Sequence, residues 1–257
     1  MLRYLLVLVT ACSFSPGATL PPAGADDDDD GSAIGPDASV GQQPTANCHV
    51  GDPTDLVLCL DFEDPSLGTG AIVDGAGHDA RSTNVTVKAH DTQQGAEFAS
   101  DNYATDKPVQ VTNGGPDLDL TDDWTLTMWL WPMGTNSFSW AVKNPNLLGA
   151  GVNYDGTPFC YAGNGQYLDA KDALPMTDWH HLACVKTAGQ LRLYVDAKRV
   201  ACKVVVPAQT ATNEGAIAGA GMIGGIDDIH LFSRPQLEAE IASDSGKAVS
   251  ADPGNCP

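Results

Sequence analysis

From Cys48 onward the chain breaks into short runs, apolar or alternating, and this punctuation limits its fold more than any other feature. The runs cover residues 56–62, 84–89, 124–130, 179–186, 190–195, 200–206 and 226–232. Alternation with a period of two is the signature of a strand with one face buried, because successive side chains point to opposite sides. Turn chemistry separates the runs, at Asn113-Gly114-Gly115, Asp155-Gly156 and Ala188-Gly189. Only residues 236–241 read as a helical turn or two. Seven or more short strands with regular turns imply an all-β chain, an antiparallel β-sandwich or jelly roll. No internal repeat is present, which argues against a solenoid or propeller.

Charge narrows the function classes. The chain holds 33 Asp and Glu against 13 Lys and Arg, a formal net charge of −20. So acidic a protein repels phosphate backbones, and nucleic acid is excluded as a partner. Six of the acids, five of them consecutive at 26–30, lie before residue 47, where the only base is Arg3. The rest of the chain carries 27 acids and 12 bases.

The amino-terminal segment reads as a leader. Met1 and Arg3 precede the apolar run Leu5-Leu6-Val7-Leu8-Val9, the length of a signal-peptide core and far short of the ~20 residues that span a bilayer. It ends in Val9-Thr10-Ala11-Cys12, which resembles a bacterial lipobox. That resemblance implies cleavage before Cys12, acylation of Cys12, and attachment to the cell envelope, with the outer membrane expected because Ser13 rather than Asp follows. Several acyl chains anchor stably where one does not. Residues 12–46, rich in Ala, Gly, Pro, Ser, Gln and Asp, cannot bury enough apolar area to offset ordering and are expected to be a disordered acidic linker. The expected organisation is therefore leader 1–11, lipidated cysteine and linker 12–46, and one domain at 47–257.

Seven cysteines are many for a reducing cytosol, and the odd count is settled if Cys12 carries lipid. Cys48, Cys59, Cys160, Cys184, Cys202 and Cys256 then form an even set. Six cysteines allow fifteen pairings. The preferred scheme is Cys48–Cys59 as a local staple, Cys160–Cys184 between neighbouring strands, and Cys202–Cys256 holding the tail.

Four spaced motifs carry a family resemblance. Asp123-Trp124-Thr125-Leu126-Thr127-Met128-Trp129-Leu130-Trp131-Pro132 resembles a characteristic strand of laminin-G-like, concanavalin-A-type domains. Trp179-His180-His181-Leu182-Ala183 with Leu191-Arg192-Leu193-Tyr194-Val195-Asp196-Ala197 is similar to that family's "WhhvA…lrlYvDG" pair. Gly225-Ile226-Asp227-Asp228-Ile229-His230-Leu231-Phe232-Ser233-Arg234 resembles its closing strand, and residues 238–241 its short helical finish. Gly95-Ala96-Glu97-Phe98 and the opening strand also fit. The resemblance spans residues 55–245 and implies a concanavalin A-like antiparallel β-sandwich. Ala197 stands where the pattern has Gly, so a less tight turn is expected there.

The resemblance also implies candidate sites. Many domains of this type hold a structural Ca²⁺ by a carboxylate of the closing strand and neighbouring loop oxygens. Here Asp227, Asp228, Asp61 and Glu63 are the matching acids, since first and last strands of the fold lie side by side. The alternative is that Asp227 or Asp228 satisfies loop amides. Sugars dock on exposed aromatic faces with polar groups fixing orientation. Trp131, Trp140, Tyr103, Tyr154, Tyr161 and Tyr167 fall at strand ends or in loops and are free to line such a site, whereas Trp124, Trp129 and Trp179 belong to core motifs. The expected platform is Trp140 with Tyr103 or Tyr161.

Catalysis finds little support. Gly219-Ala220-Gly221-Met222-Ile223-Gly224 matches G-x-G-x-x-G literally, but a strand follows it where a dinucleotide site needs a helix, so it reads as a loop entering the closing strand. The jelly-roll β-glucanases carry E-x-D-x-x-E or E-x-D-x-E on one strand, and no such segment occurs. No G-x-S-x-G elbow is present. His180 and His181 point to opposite faces and cannot chelate one ion together. The expected function is a non-catalytic recognition or adhesion module for a glycan or surface protein. The alternatives are a structural envelope component or a glycan hydrolase without a recognisable catalytic motif.

Overall fold

The computed structural model describes residues 55–62, 79–82, 85–90, 93–99, 109–112, 118–134, 138–145, 147–176, 178–187, 189–206, 215–248, 250 and 256. All of them fall within one compact unit, Gln42–Pro257. The lipobox with Cys12, the Asp run at 26–30, Cys48, Glu63 and Tyr103 lie outside the described residues.

Two antiparallel sheets build the domain. The first contains β1 (Leu56–Leu60), β3 (Thr86–His90), β4 (Gln93–Ala99), β6 (Trp124–Pro132), β11 (His180–Thr187), β12 (Gln190–Val195), β13 (Lys198–Val204) and β15 (Ile223–Phe232). Its order is β13-β12-β11-β6-β15-β4-β3, with β1 also on β15. The second contains β2 (Asp79–Ser82), β5 (Val109–Thr112), β7 (Ser139–Asn144), β8 (Leu148–Val152), β9 (Pro158–Tyr161), β10 (Tyr167–Asp169) and β14 (Ala216–Ala220). Its order is β10-β9-β8-β7-β14-β5-β2.

Alternation along β6 sends Trp124, Leu126, Met128 and Leu130 into the core between the sheets. Leu182, Cys184, Leu191 and Leu193 join them from the same sheet, and Ala141, Val142, Leu148, Ala150 and Cys160 meet them from the other. First and last strands do pair, with Leu56 opposite Phe232 and Leu60 opposite Ile229.

The helix α1 (Glu238–Asp244) closes the chain's fold. It places Ile241 against Ala183, Val185 and Tyr194 on the outside of the eight-stranded sheet. Its approach is fixed by Arg234, which donates to both Glu240 oxygens at 2.7 and 2.9 Å and to Asp55 Oδ2 at 3.1 Å. Tyr194 Oη donates to Glu238 Oε1 at 3.1 Å.

Two expectations need correction. Gly219 and Ala220 end β14, and Ile223 and Gly224 begin β15, so the glycine-rich segment is strand on both sides of the short turn at Gly221-Met222. It carries the chain from one sheet to the other, and Gly219 and Gly221 supply positive φ for the crossing. The β12–β13 turn is tight despite its alanine. Asp196 and Ala197 sit at φ 49° and 60°, the two left-handed positions of a two-residue hairpin.

Two of the three expected disulfides form as paired, one with a change of role, and the third, Cys48–Cys59, involves a cysteine outside the described residues. Cys160–Cys184 has Cα atoms 5.7 Å apart and joins β9 to β11, so it ties the two sheets together rather than neighbouring strands of one sheet. Both cysteines face inward, which is why the bond crosses the core. Cys202–Cys256, with Cα atoms 5.3 Å apart, fastens the tail to β13. Cys59 is disulfide-bonded as well. Bonds of this kind persist outside the reducing cytosol, which marks an exported protein. Among the described residues no helix is long and apolar enough to cross a membrane.

Candidate functional site

The outer face of the seven-stranded sheet gathers the aromatic residues. A bulge in β7 between Trp140 and Val142 sends both Ala141 and Val142 into the core and leaves Trp140 and Lys143 facing out. β9 turns Cys160 inward and Phe159 and Tyr161 outward, and β10 turns Leu168 inward and Tyr167 and Asp169 outward. Between these strands β8 presents Gly149 and Gly151. A Cβ on Gly149 would meet the Trp140 ring at 2.6 Å, so the glycine is what lets the indole lie flat against the sheet.

The rings form one cluster. Phe138 stacks on Phe159 at 4.4 Å between centroids, Trp140 meets Tyr161 edge-on at 5.6 Å, and Tyr167 lies 4.8 Å from Tyr161 and 6.2 Å from Trp140. Lys143 Nζ sits 5.0 Å from the Trp140 centroid, within cation–π range. Trp140 is 2% exposed and forms the floor, whereas Tyr167 is 37% exposed and forms the wall.

A depression of about 560 Å³ opens here, lined by Phe138, Trp140, Asn153, Tyr167 and Asp169. Its polar rim is ordered from the β8–β9 loop. Asn153 Nδ2 donates to Asp169 Oδ1 at 2.9 Å and to Thr157 Oγ1 at 3.0 Å, and Thr157 Oγ1 donates to Asp155 Oδ1 at 2.6 Å. Asp155 also accepts from the Thr157 amide, and these bonds hold its carboxyl below the usual carboxylate range. Tyr154, on the same loop, is 71% exposed. The arrangement offers aromatic faces beside a fixed amide and carboxylate, the chemistry that receives a ligand with apolar faces and hydroxyl groups.

Of the expected platform, Trp140 and Tyr161 are brought together here. Trp131 is not: it belongs to β6 in the other sheet, where its ring lies 6.1 Å from Trp179. Sequence reasoning missed Phe138, Asn153 and Asp169. Tyr167 carried a signal as a loop-flanking tyrosine, and Asp155-Gly156, two residues beyond Asn153, one as a turn.

Of the expected metal acids, Asp61, Asp227 and Asp228 are described and Glu63 is not. Leu60 and Ile229 are paired, so Asp61 and Asp228 follow at the same end of that pair. Asp227 is wholly buried and its Oδ1 accepts the Asp228 amide at 2.9 Å, while Asp228 sits at φ 45° in the bulge of β15. Among the described residues no group of three or more His, Cys, Asp or Glu converges on one point.

The outer face of the eight-stranded sheet is packed instead. His181 lies 5.4 Å from Trp129, and the Trp179 ring covers Gly95 and Gly225. Burial lowers the pKa of both His181 and His230 to about 4. His180 behaves oppositely: the bond to Asp196 Oδ2 at 2.9 Å raises it despite partial burial, and its other nitrogen lies 3.3 Å from the Pro175 carbonyl. Glu97 lies on β4 of this sheet, remote from the depression.

Solved structures share this architecture. The chain matches the binding domain of Paraclostridial Mosquitocidal Protein 1 with a TM-score of 0.58 and 14% identity, over 75% of this chain and 52% of that one. It matches domain 4 of AbnA, a GH43 extracellular arabinanase from Geobacillus stearothermophilus solved with arabinotriose, at 0.56 and 13%, over 74% and 97%. The binding domain of Botulinum neurotoxin DC, solved with rat synaptotagmin II, matches at 0.57 and 12%, over 75% and 51%. The chain thus spans about half the length of the toxin binding domains it matches. No curated protein matches it by sequence. A laminin-G-type family model covers residues 103–242, more than half of the chain. With two antiparallel sheets and that match, the chain belongs to the concanavalin A-like lectin/glucanases superfamily.

Proposed function

We propose that the domain is a non-catalytic carbohydrate-binding module of an exported lipoprotein. The observation that carries this is the depression in which Tyr167 and Phe138 rise beside Trp140, with Asn153 and Asp169 at the rim. A sugar ring stacks its apolar face on the tyrosine and directs its hydroxyls to the amide and carboxylate. Asp169 is the one carboxylate among the described lining residues, and hydrolysis by the usual route needs two facing each other, which supports binding over cleavage. The arabinotriose held in complex with the arabinanase domain is in keeping with this reading.

Cys12, by its lipobox, anchors the chain to the cell envelope at the outer membrane, with residues 12–46 as the linker to the domain. Replacing Cys12 with Ala is expected to release the protein from the membrane fraction. For the site, a glycan array probed with the wild type and Tyr167→Ala is decisive. Wild-type signals that vanish in the variant while its melting is preserved support the site, and signals that survive unchanged remove it.

A further inference from the structure

We infer that His180 is a proton-operated latch: while protonated it holds the segment 170–176 against the rim of the depression, and on losing its proton it lets that segment loosen. The latch itself rests on the hydrogen bonds of the segment. Its effect on ligand affinity rests on the carbohydrate-binding reading.

The segment starts at the site. Asp169, on the rim, is the last residue of β10, and immediately after it Ala170 N donates to Pro158 O at 2.9 Å. The middle of the segment braces the rim turn. Leu174 N donates to Gly156 O at 2.9 Å, and a Cβ on Gly156 would lie 3.3 Å from the Ala173 methyl and 3.5 Å from Met176 Cε. Gly156 N in turn donates to the Asn153 carbonyl at 2.9 Å, so the turn that carries Asn153 is seated on this segment. The far end is held from the other sheet, where His180, at the start of β11, places Nε2 3.3 Å from the Pro175 carbonyl. Pro175 has no N–H of its own, so that carbonyl is the group its backbone offers.

Both ring nitrogens of His180 face acceptors. Nδ1 lies 2.9 Å from Asp196 Oδ2, and Nε2 faces the carbonyl. A neutral imidazole has one N–H and satisfies one of the two; the imidazolium satisfies both. On deprotonation the remaining N–H stays with Asp196, because a charged acceptor holds it more strongly than a carbonyl does. Nε2 then turns a lone pair towards the Pro175 oxygen, and the brace becomes a repulsion. Asp196 is fixed for this role, since its Oδ1 accepts the His181 amide at 3.1 Å. Asp178, on the chain entering β11, also favours the imidazolium, and Lys247, beyond α1, acts on Asp196. His181 feels the same Asp196, but burial keeps it neutral. The bond to Asp196 raises His180 above the usual 6.5 against partial burial, so the latch is closed below 6.5 and opens as pH passes that raised value. The Leu174 side chain stays in the inter-sheet core, so the opening is local.

Hydrogen exchange at the Leu174 amide reads the latch without any ligand, and the His180 ring resonances report its protonation in the same samples. Between about pH 6 and about pH 9, wild-type protection of that amide, corrected for intrinsic exchange, is expected to fall about fivefold along the His180 titration. The Leu182 amide, inside β11, is expected to keep its protection. In His180→Gln the Leu174 protection is expected to be the same at both pH values. A glycan array is expected to give wild-type signals about fivefold stronger at the lower pH, and His180→Gln signals alike at both. Wild-type protection that stays constant while His180 titrates overturns the inference, and that measurement needs no variant to fold. A change that persists in His180→Gln overturns it as well, and so do array signals indifferent to pH while Leu174 switches. No glycan signal at either pH, with Leu174 switching as expected, removes the carbohydrate-binding reading and leaves the latch standing.

Discussion

On the outside of the eight-stranded sheet the histidines are sealed, while Trp129, Trp131 and Trp179 are half-buried. His181 and His230 are 2% and 7% exposed, Trp179 lies over two glycines, and α1 covers Ala183, Val185 and Tyr194. On the outside of the seven-stranded sheet Trp140, Phe159 and Tyr161 form a buried floor, and Tyr167 stands exposed with a depression beside it. Both faces follow from the same alternation. What separates them is cover: Arg234 and Glu240 clamp a helix over one face, and on the other two glycines in β8 let rings settle without enclosing them. A closed face contributes to stability and is sensitive to charge, whereas an open one is free for a ligand.

The largest expected effect tests whether the open face divides into floor and wall. Trp140→Ala removes a buried indole and is expected to cost about 3–5 kcal/mol of stability, read by urea unfolding. Tyr167→Ala, at a half-exposed position, is expected to cost under about 1 kcal/mol while removing glycan binding. Equal losses of stability in the two variants would break the distinction.

Acidification tests the closed face. His181 and His230 have folded-state pKa values near 4, below the 6.5 of an unfolded histidine, because burial disfavours their charged forms. Between pH 6.5 and 4 the unfolded chain therefore binds more protons than the folded one. Their contribution is full above 6.5 and is lost as pH falls towards 4, on the order of 3 kcal/mol per histidine. His180 has the opposite sign: its pKa is raised by Asp196, so its contribution is full below 6.5 and declines as pH rises past that raised value. Unfolding measured at pH 7, 6 and 5 should show a falling stability whose slope His230→Leu roughly halves. An unaltered slope would show that the histidines are not held neutral.

The same contrast explains what the sequence made legible. Every strand of the eight-stranded sheet had a signal, in alternation or in family motif: β6 as Trp124–Pro132, β11 with its paired histidines, β15 with Asp227-Asp228. None of the strands of the seven-stranded sheet was marked. β8 reads Leu-Gly-Ala-Gly-Val and β14 Ala-Ile-Ala-Gly-Ala, compositions poor in β-branched and aromatic residues. The glycines of β8 make room for Trp140 and Phe159, and Gly219 of β14 makes room for Phe98, so the feature that builds the site is one that hides its strands. Trp140 and Tyr161 were visible as aromatics without a core role. Asn153 and Asp169 were not, since their partnership spans a loop and a strand that the pattern did not mark.

The smallest expected effect concerns the turn where this chain departs from its family pattern. Asp196 and Ala197 both occupy the left-handed region, and Asp196 uses its carboxylate to accept from the His181 amide at 3.1 Å and to face His180. The turn thus supports the closed face directly. Aspartate tolerates that conformation because its side chain bonds locally, but alanine has no such compensation and carries a steric penalty of about 1 kcal/mol. Ala197→Gly relieves the penalty while adding chain entropy to the unfolded state, so a net gain of about 0.5 kcal/mol is expected. Chemical denaturation should register that gain with no change in glycan binding, because the turn lies beyond β12, away from the open face. A loss of stability would mean that the Ala197 methyl, which is buried, contributes more by packing than its backbone costs.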